Sequence, residues 1–134
     1  MHTLGKGTFA WTRQERISDK YSKFFLNNTP EYNKKQLKQL EDKNGVLYAR
    51  VIEGNESSHI GDIIRGLVQE DVPNQGQEFK LGRGSLIVDW DSNKNIEIGI
   101  QPKNDSSSDW LNPESMYQIH DCIVEVYFKE QDNL

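Results

Sequence analysis

A chain of 134 residues has material for one domain that folds without staples. With 28% charged residues against 34% hydrophobic ones and a net charge of −5, no apolar run comes near the ~18 residues of a membrane span. The single cysteine, Cys122, excludes an intrachain disulfide and a cysteine-based zinc cluster, and it fits a reducing, cytoplasmic setting.

The charge is lopsided along the chain. Residues 1–43 hold nine Lys/Arg against five Asp/Glu, and residues 44–134 hold seven against sixteen. An acidic body repels a phosphate backbone, so nucleic acid is the less favoured partner. The N-terminus shows no apolar core of a signal peptide.

In chain order, Leu4-Gly5-Lys6-Gly7-Thr8-Phe9-Ala10-Trp11 reads as a flexible start running into a short strand. Its glycine spacing is that of a nucleotide-binding loop, but no P-loop lysine or kinase catalytic set accompanies it. In residues 13–26, Ile17, Tyr21, Phe24 and Phe25 fall at i, i+4, i+7 and i+8, one apolar face of a helix. Thr29-Pro30-Glu31 has the cap, the first-turn proline and the acid of a helix start. That second helix is expected to run to about Lys43, with Tyr32, Leu37 and Leu40 inward and Asn44-Gly45 as its stop.

From residue 46 the period shifts toward two. Val46 to Ile52 reads as a strand. Residues 58–68 fit a strand with tight bends better than a helix, because Gly61 and Gly66 together cost roughly 2 kcal/mol in a helix interior. Residues 69–77 are a loop, and three strands follow at 78–81, 85–90 and 96–100. The last two form a hairpin, with Leu86, Val88 and Trp90 on one face and Ile96, Ile98 and Ile100 sharing a buried side. Asn112-Pro113-Glu114 opens a helical turn. The segment 122–128 is a closing strand with Cys122, Val124, Val126 and Phe128 on one face.

The expected fold is therefore α+β: a basic, mainly helical part (1–45) packed on a small, mostly antiparallel twisted sheet or barrel (46–130), in one domain. Gly61-Asp62-Ile63-Ile64-Arg65-Gly66, then Leu86-Ile87-Val88-Asp89-Trp90-Asp91, then Asn112-Pro113-Glu114 through Ile119, resemble the order of cues in small Tudor or Src-homology-3-type barrels. The same order loosely resembles phage proteins of the YopX type. The resemblance implies a barrel fold and carries no residue roles.

No arrangement of residues announces a reaction. Asp89, Asp91, Asn93, Asn95 and Glu97 alternate like a calcium loop, yet Lys94 stands where the turn glycine belongs and Ile100 where the bidentate acid belongs. No metal and no cofactor are expected. His2, His59 and His120 lack the spacing of a hydrolase or metal motif. Trp11, Phe24, Phe25 and Tyr32 interleave with Arg13, Arg16, Lys20 and Lys23, a composition shared by base-stacking platforms and by core-packing helices, and the core reading is favoured.

These readings add up to a non-catalytic accessory protein of a bacterium or its phage, of the inhibitor, immunity or adaptor kind. It would bind a protein partner of basic character through Asp89, Asp91, Glu97, Glu125 and Tyr127. Self-association is a further option. Arg13, Arg16, Lys20 and Lys23 are the candidate contacts if the chain instead associates with nucleic acid. A small-molecule or nucleotide-derivative binder, with a pocket near Trp90 and Trp110, is a third alternative.

Overall fold

The computed structural model describes residues 1–11, 22–27, 34–54, 73–90, 95–102 and 111–131. Six strands and two short helices make up the described chain: β1 (His2–Ala10), β2 (Ser22–Asn27), α1 (Lys34–Lys38), β3 (Asn44–Glu53), β4 (Glu78–Trp90), β5 (Ile96–Gln101), α2 (Pro113–Ile119) and β6 (Ile123–Glu130). The strands close into an antiparallel barrel in the order β1-β2-β5-β4-β3-β6.

Two strands do double duty. Along β1, His2 to Thr8 pair with β6 and Thr8 to Ala10 pair with β2. Along β4, Glu78 to Ser85 pair with β3 and Ser85 to Trp90 pair with β5. The barrel thus consists of two four-stranded layers that share β1 and β4. One is β1-β6-β3-β4; the other is β1-β2-β5-β4.

Alternation decides which side chains fill the interior. Leu47, Ala49 and Val51 of β3, Leu86 and Val88 of β4, Ile96, Ile98 and Ile100 of β5, and Val124, Val126 and Phe128 of β6 are all buried. Phe9 and Phe24 stack at 4.7 Å between ring centroids and tie β1 to β2 inside the core. The helices supply what the strands leave open. Met116 and Ile119 of α2 join the core together with Leu111. Asn112 caps α2, its Oδ1 accepting from the Glu114 amide at 3.0 Å. The Asn112 amide in turn donates to Leu81 O on the half of β4 that β5 does not reach. On the other half, Leu37 and Leu40 close over the core, and the amides of Asp42 and Leu86 exchange bonds with Leu86 O and Lys43 O.

Two glycines are required by close approach. A Cβ on Gly45 would stand 2.2 Å from Lys129 O, and one on Gly84 would stand 2.3 Å from Gln101 O. Strand seams at β3–β6 and β4–β5 could not close over any larger residue.

The expected α+β fold with helices at the N-terminus is corrected. The described chain is mostly antiparallel sheet with two short helices, and the described part of residues 1–45 is two strands, the start of a third and the five-residue α1, not a mainly helical segment. Ser22–Asn27 is a strand, because Phe24 and Leu26 turn inward while Phe25, between them, stays half-exposed. Residues 2–10 are a full strand, with an irregularity between Thr3 and Gly5 in its pairing to β6, and not a flexible start. The helix expected to reach Lys43 ends at Lys38. The left-handed residue after it is Asp42 (φ 69°), while Asn44 and Gly45 open β3. The strands expected at 78–81 and 85–90 are one strand, running through Gly82-Arg83-Gly84.

Other expectations hold. The 86–100 hairpin has Leu86 opposite Ile100 and Trp90 opposite Ile96, with Leu86, Val88, Ile96, Ile98 and Ile100 buried. Cys122, Val124, Val126 and Phe128 share the inner side, and Asn112 opens α2. The 58–68 segment, the residues 91–94 and the start of the 30–43 helix lie outside the described residues.

Candidate interaction surface

Large side chains occupy the barrel interior, with Phe9, Trp11, Phe24 and Phe128 fully buried among aliphatic neighbours. Among the described residues, the surface open to a ligand lies on the outside of the layers or at the barrel ends. Two open depressions there are lined by described residues. One, of about 480 Å³, is lined by Thr8, Glu53, Gly54, Asp121 and Ile123. The other, of about 610 Å³, lies between α1 and the ends of β1 and β6 and includes Leu37, Leu40, Lys43, His2 and Glu130. Among the described residues no three His, Cys, Asp or Glu side chains are grouped to hold a metal.

In the second depression, the His2 imidazole is 2.8 Å from a Glu130 carboxylate oxygen, and Lys43 Nζ is 3.4 Å from the other. The hydrogen bond from His2 and then the Lys43 ammonium hold the Glu130 carboxyl below the ordinary carboxylate range.

On the β1-β2-β5-β4 layer, Asp89 stands directly opposite Glu97. Two carboxylates facing each other across an antiparallel pair repel. Lys23 of β2 compensates one of them, its Nζ lying 2.8 Å from Glu97 Oε1. Asp89 is exposed, and its Oδ1 accepts the amide of the next residue, Trp90, at 2.9 Å. Beside this pair, Lys34 and Lys38, one helical turn apart on α1, bring their ammonium groups to 5.3 and 6.0 Å from the centre of the half-buried Trp90 ring. Lys38 also donates to Val88 O at 2.7 Å. A row of this kind, acid–acid–cation next to a tryptophan, was not legible from spacing, because Lys23, Asp89 and Glu97 come from three strands. The turn formers after Trp90 were the one signal that marked this end of the hairpin.

Glu125 and Tyr127 lie elsewhere. They project from β6 in the other layer, and β6 is diametrically opposite β5 in the strand order. The expected partner-binding set therefore does not form one patch. Glu125 pairs with Arg50 of β3. Tyr127 is only 3% exposed and stacks on Tyr48 at 5.3 Å, with Lys129 Nζ 5.0 Å above the Tyr48 ring. An exposed edge strand would leave their backbone open to a partner, whereas β6 is hydrogen-bonded on both sides, to β1 and β3. Of the alternative basic set, Lys23 is engaged with Glu97, and Arg13, Arg16 and Lys20 lie outside the described residues, as does Asp91. Trp11 and Phe24 belong to the core, in line with the reading preferred for that aromatic group.

Among the described residues no helix is long and apolar enough to cross a membrane. No family model, no curated protein and no solved structure matches this chain.

Proposed function

We propose that this chain is a small, non-catalytic accessory protein of the cytoplasm that binds a protein partner bearing a basic segment. The observation that supports this reading is the Asp89–Glu97 pair. A like-charged pair directly opposite in a sheet lowers stability, and among the described residues one lysine, Lys23, pairs with one of the two acids, Glu97. A cationic side chain from a partner would relieve the remaining repulsion, so binding energy is gained where folding energy is given up. The filled interior favours surface recognition over enclosure of a small molecule. Engagement of Lys23 by Glu97 leaves that cation less able to release counterions on a phosphate backbone.

The test uses the immobilised chain and its Asp89→Lys variant to capture partners from host extract, with a generic oligonucleotide as a parallel ligand. Capture of a protein by the parent chain, weakened at least about tenfold in the variant and slower to associate at high salt, is the expected result. Equal capture by both chains would overturn the Asp89 assignment. Tight oligonucleotide binding that survives Asp89→Lys would replace a protein partner with nucleic acid.

A further inference from the structure

The turn between α2 and β6 is fastened to the end of β1 by three hydrogen bonds. Two are backbone pairs: the Phe9 amide donates to Cys122 O at 2.9 Å, and the Asp121 amide donates to Phe9 O at 2.8 Å. The third is of another kind, because the Trp11 amide donates to a side chain, His120 Nδ1, at 3.3 Å. It is made one residue past Ala10, where the β1–β2 seam ends. Among the described residues that seam has three paired positions, Thr8 to Ala10, against five or more in every other seam of the barrel. Trp11 therefore follows the shortest ladder in the molecule, and its side chain is buried in the core.

A backbone amide can only donate, so Nδ1 accepts, and the imidazole is neutral with its proton on Nε2. Protonation would put an N–H on Nδ1 as well, head-on to the Trp11 amide, and the bond would be lost. The other side of the ring suits the charged form. Nε2 stands 3.7 Å from Asp121 Oδ2, and Asp121 borders the depression that Glu53 lines from β3. The end of α2, Gln118 and Ile119, carries no charge, nor do Cys122 and Ile123 at the start of β6. The His120 side chain is 19% exposed, so protons from solvent reach it. An ordinary histidine titrates near pH ~6.5, within the range that cells visit. We propose that His120 is a pH-operated latch on Trp11. Neutral, its Nδ1 ties the Trp11 amide to the α2–β6 turn; protonated, the ring gives up that amide and directs its charge to Asp121. The two backbone bonds of Phe9 do not titrate, so release is confined to the end of β1.

Nuclear magnetic resonance on the intact chain reads both halves of the latch. At high pH the imidazole nitrogen shifts should show His120 protonated on Nε2 and not on Nδ1. Amide exchange of Trp11, corrected for the intrinsic rate at each pH, should then be followed from about pH 7.5 to about pH 5.5. Its protection should fall roughly fivefold or more, the worth of one ordinary hydrogen bond, with the same midpoint as the His120 ring carbons. The Phe9 amide should keep its protection throughout. In His120→Asn a side-chain oxygen takes the place of Nδ1 and does not titrate, so Trp11 protection should be flat with pH. A proton on Nδ1 of the neutral ring overturns the proposal, as does Trp11 protection that ignores the ring's titration. A pH response that survives in His120→Asn also overturns it. The parent chain alone decides the first two outcomes, whether or not the variant folds.

Discussion

Residues 1–43 and 44–134 are opposite in charge along the chain, and in space they are woven together. The described parts of the cation-rich first third do not sit apart as an arm or a helical cap. Its β1 lies beside β6, its β2 beside β5, and its α1 against β4. Among the described residues, three of its cationic groups meet acids of the rest: Lys23 reaches Glu97, and His2 and Lys43 reach Glu130. For these described groups, a lopsided charge map in one dimension becomes local neutralisation in three. The lesson concerns partners as much as folding: charge asymmetry along a sequence advertises an external ligand only when the two regions remain apart.

The strongest way to break this comparison is to remove the apolar anchor that brings the basic third into the barrel. Phe24→Ala should cost about 3–5 kcal/mol in urea unfolding, the usual range for a buried phenylalanine. The half-exposed neighbour, Phe25→Ala, should cost about 1 kcal/mol. Similar losses at both positions would point to a helical face and against a strand.

Next in size is the β3–β6 seam. Gly45→Ala places a Cβ against Lys129 O and the Phe128 ring, and should cost about 2–3 kcal/mol by the same measurement. A neutral result would mean that the seam is looser than its register implies.

Why β2 was hidden while the β4–β5 hairpin was legible follows from particular residues. Leu86, Val88, Ile96, Ile98 and Ile100 alternate on both sides of a run of turn formers, so local pattern and long-range pairing agree. Strand β6 and the Asn112 cap are local in the same sense. In β2, Phe24 and Leu26 alternate, but Phe25 stands between them, and Ile17 and Tyr21 before them complete a helical spacing. Six residues are too few to separate the two periods. Gly5 and Gly7 disguised β1, and Gly82 and Gly84 appeared to cut β4 in two. In the structure Gly84 allows close approach to Gln101. Closure of the barrel depends on β1 pairing with both β2 and β6, a relation between distant segments that periodicity does not record. The candidate site suffered most, because opposition of Asp89, Glu97 and Lys23 is a property of register.

Smaller effects sharpen the electrostatic half of the comparison. A double-mutant cycle on Lys23 and Glu97, using Lys23→Ala and Glu97→Ala, should give a coupling of about 0.5–1 kcal/mol, since both groups are partly exposed. A coupling of zero would make the weave of charges incidental.

The smallest effect is at Glu130. Its carboxyl is held below the ordinary range in the folded chain by His2 and then by Lys43. A depressed carboxylate favours the fold above its unfolded value, and that contribution disappears as pH falls through the lower folded value. In a titration followed by carboxyl carbon resonances, Glu130 should therefore protonate at lower pH than an ordinary glutamate. It should move back up in His2→Ala. An unchanged midpoint in that variant would remove the His2 contact.

The most direct test of the account is whether residues 22–26 are built into the sheet. Cross-strand nuclear Overhauser contacts read this without any substitution. The structure predicts backbone contacts of Lys23 with Gly99, Phe24 with Ile98 and Phe25 with Glu97, and of Phe9 with Leu26. A run of sequential amide–amide contacts through 22–26, with none to 96–100, would contradict the barrel and return the basic third of the chain to the outside.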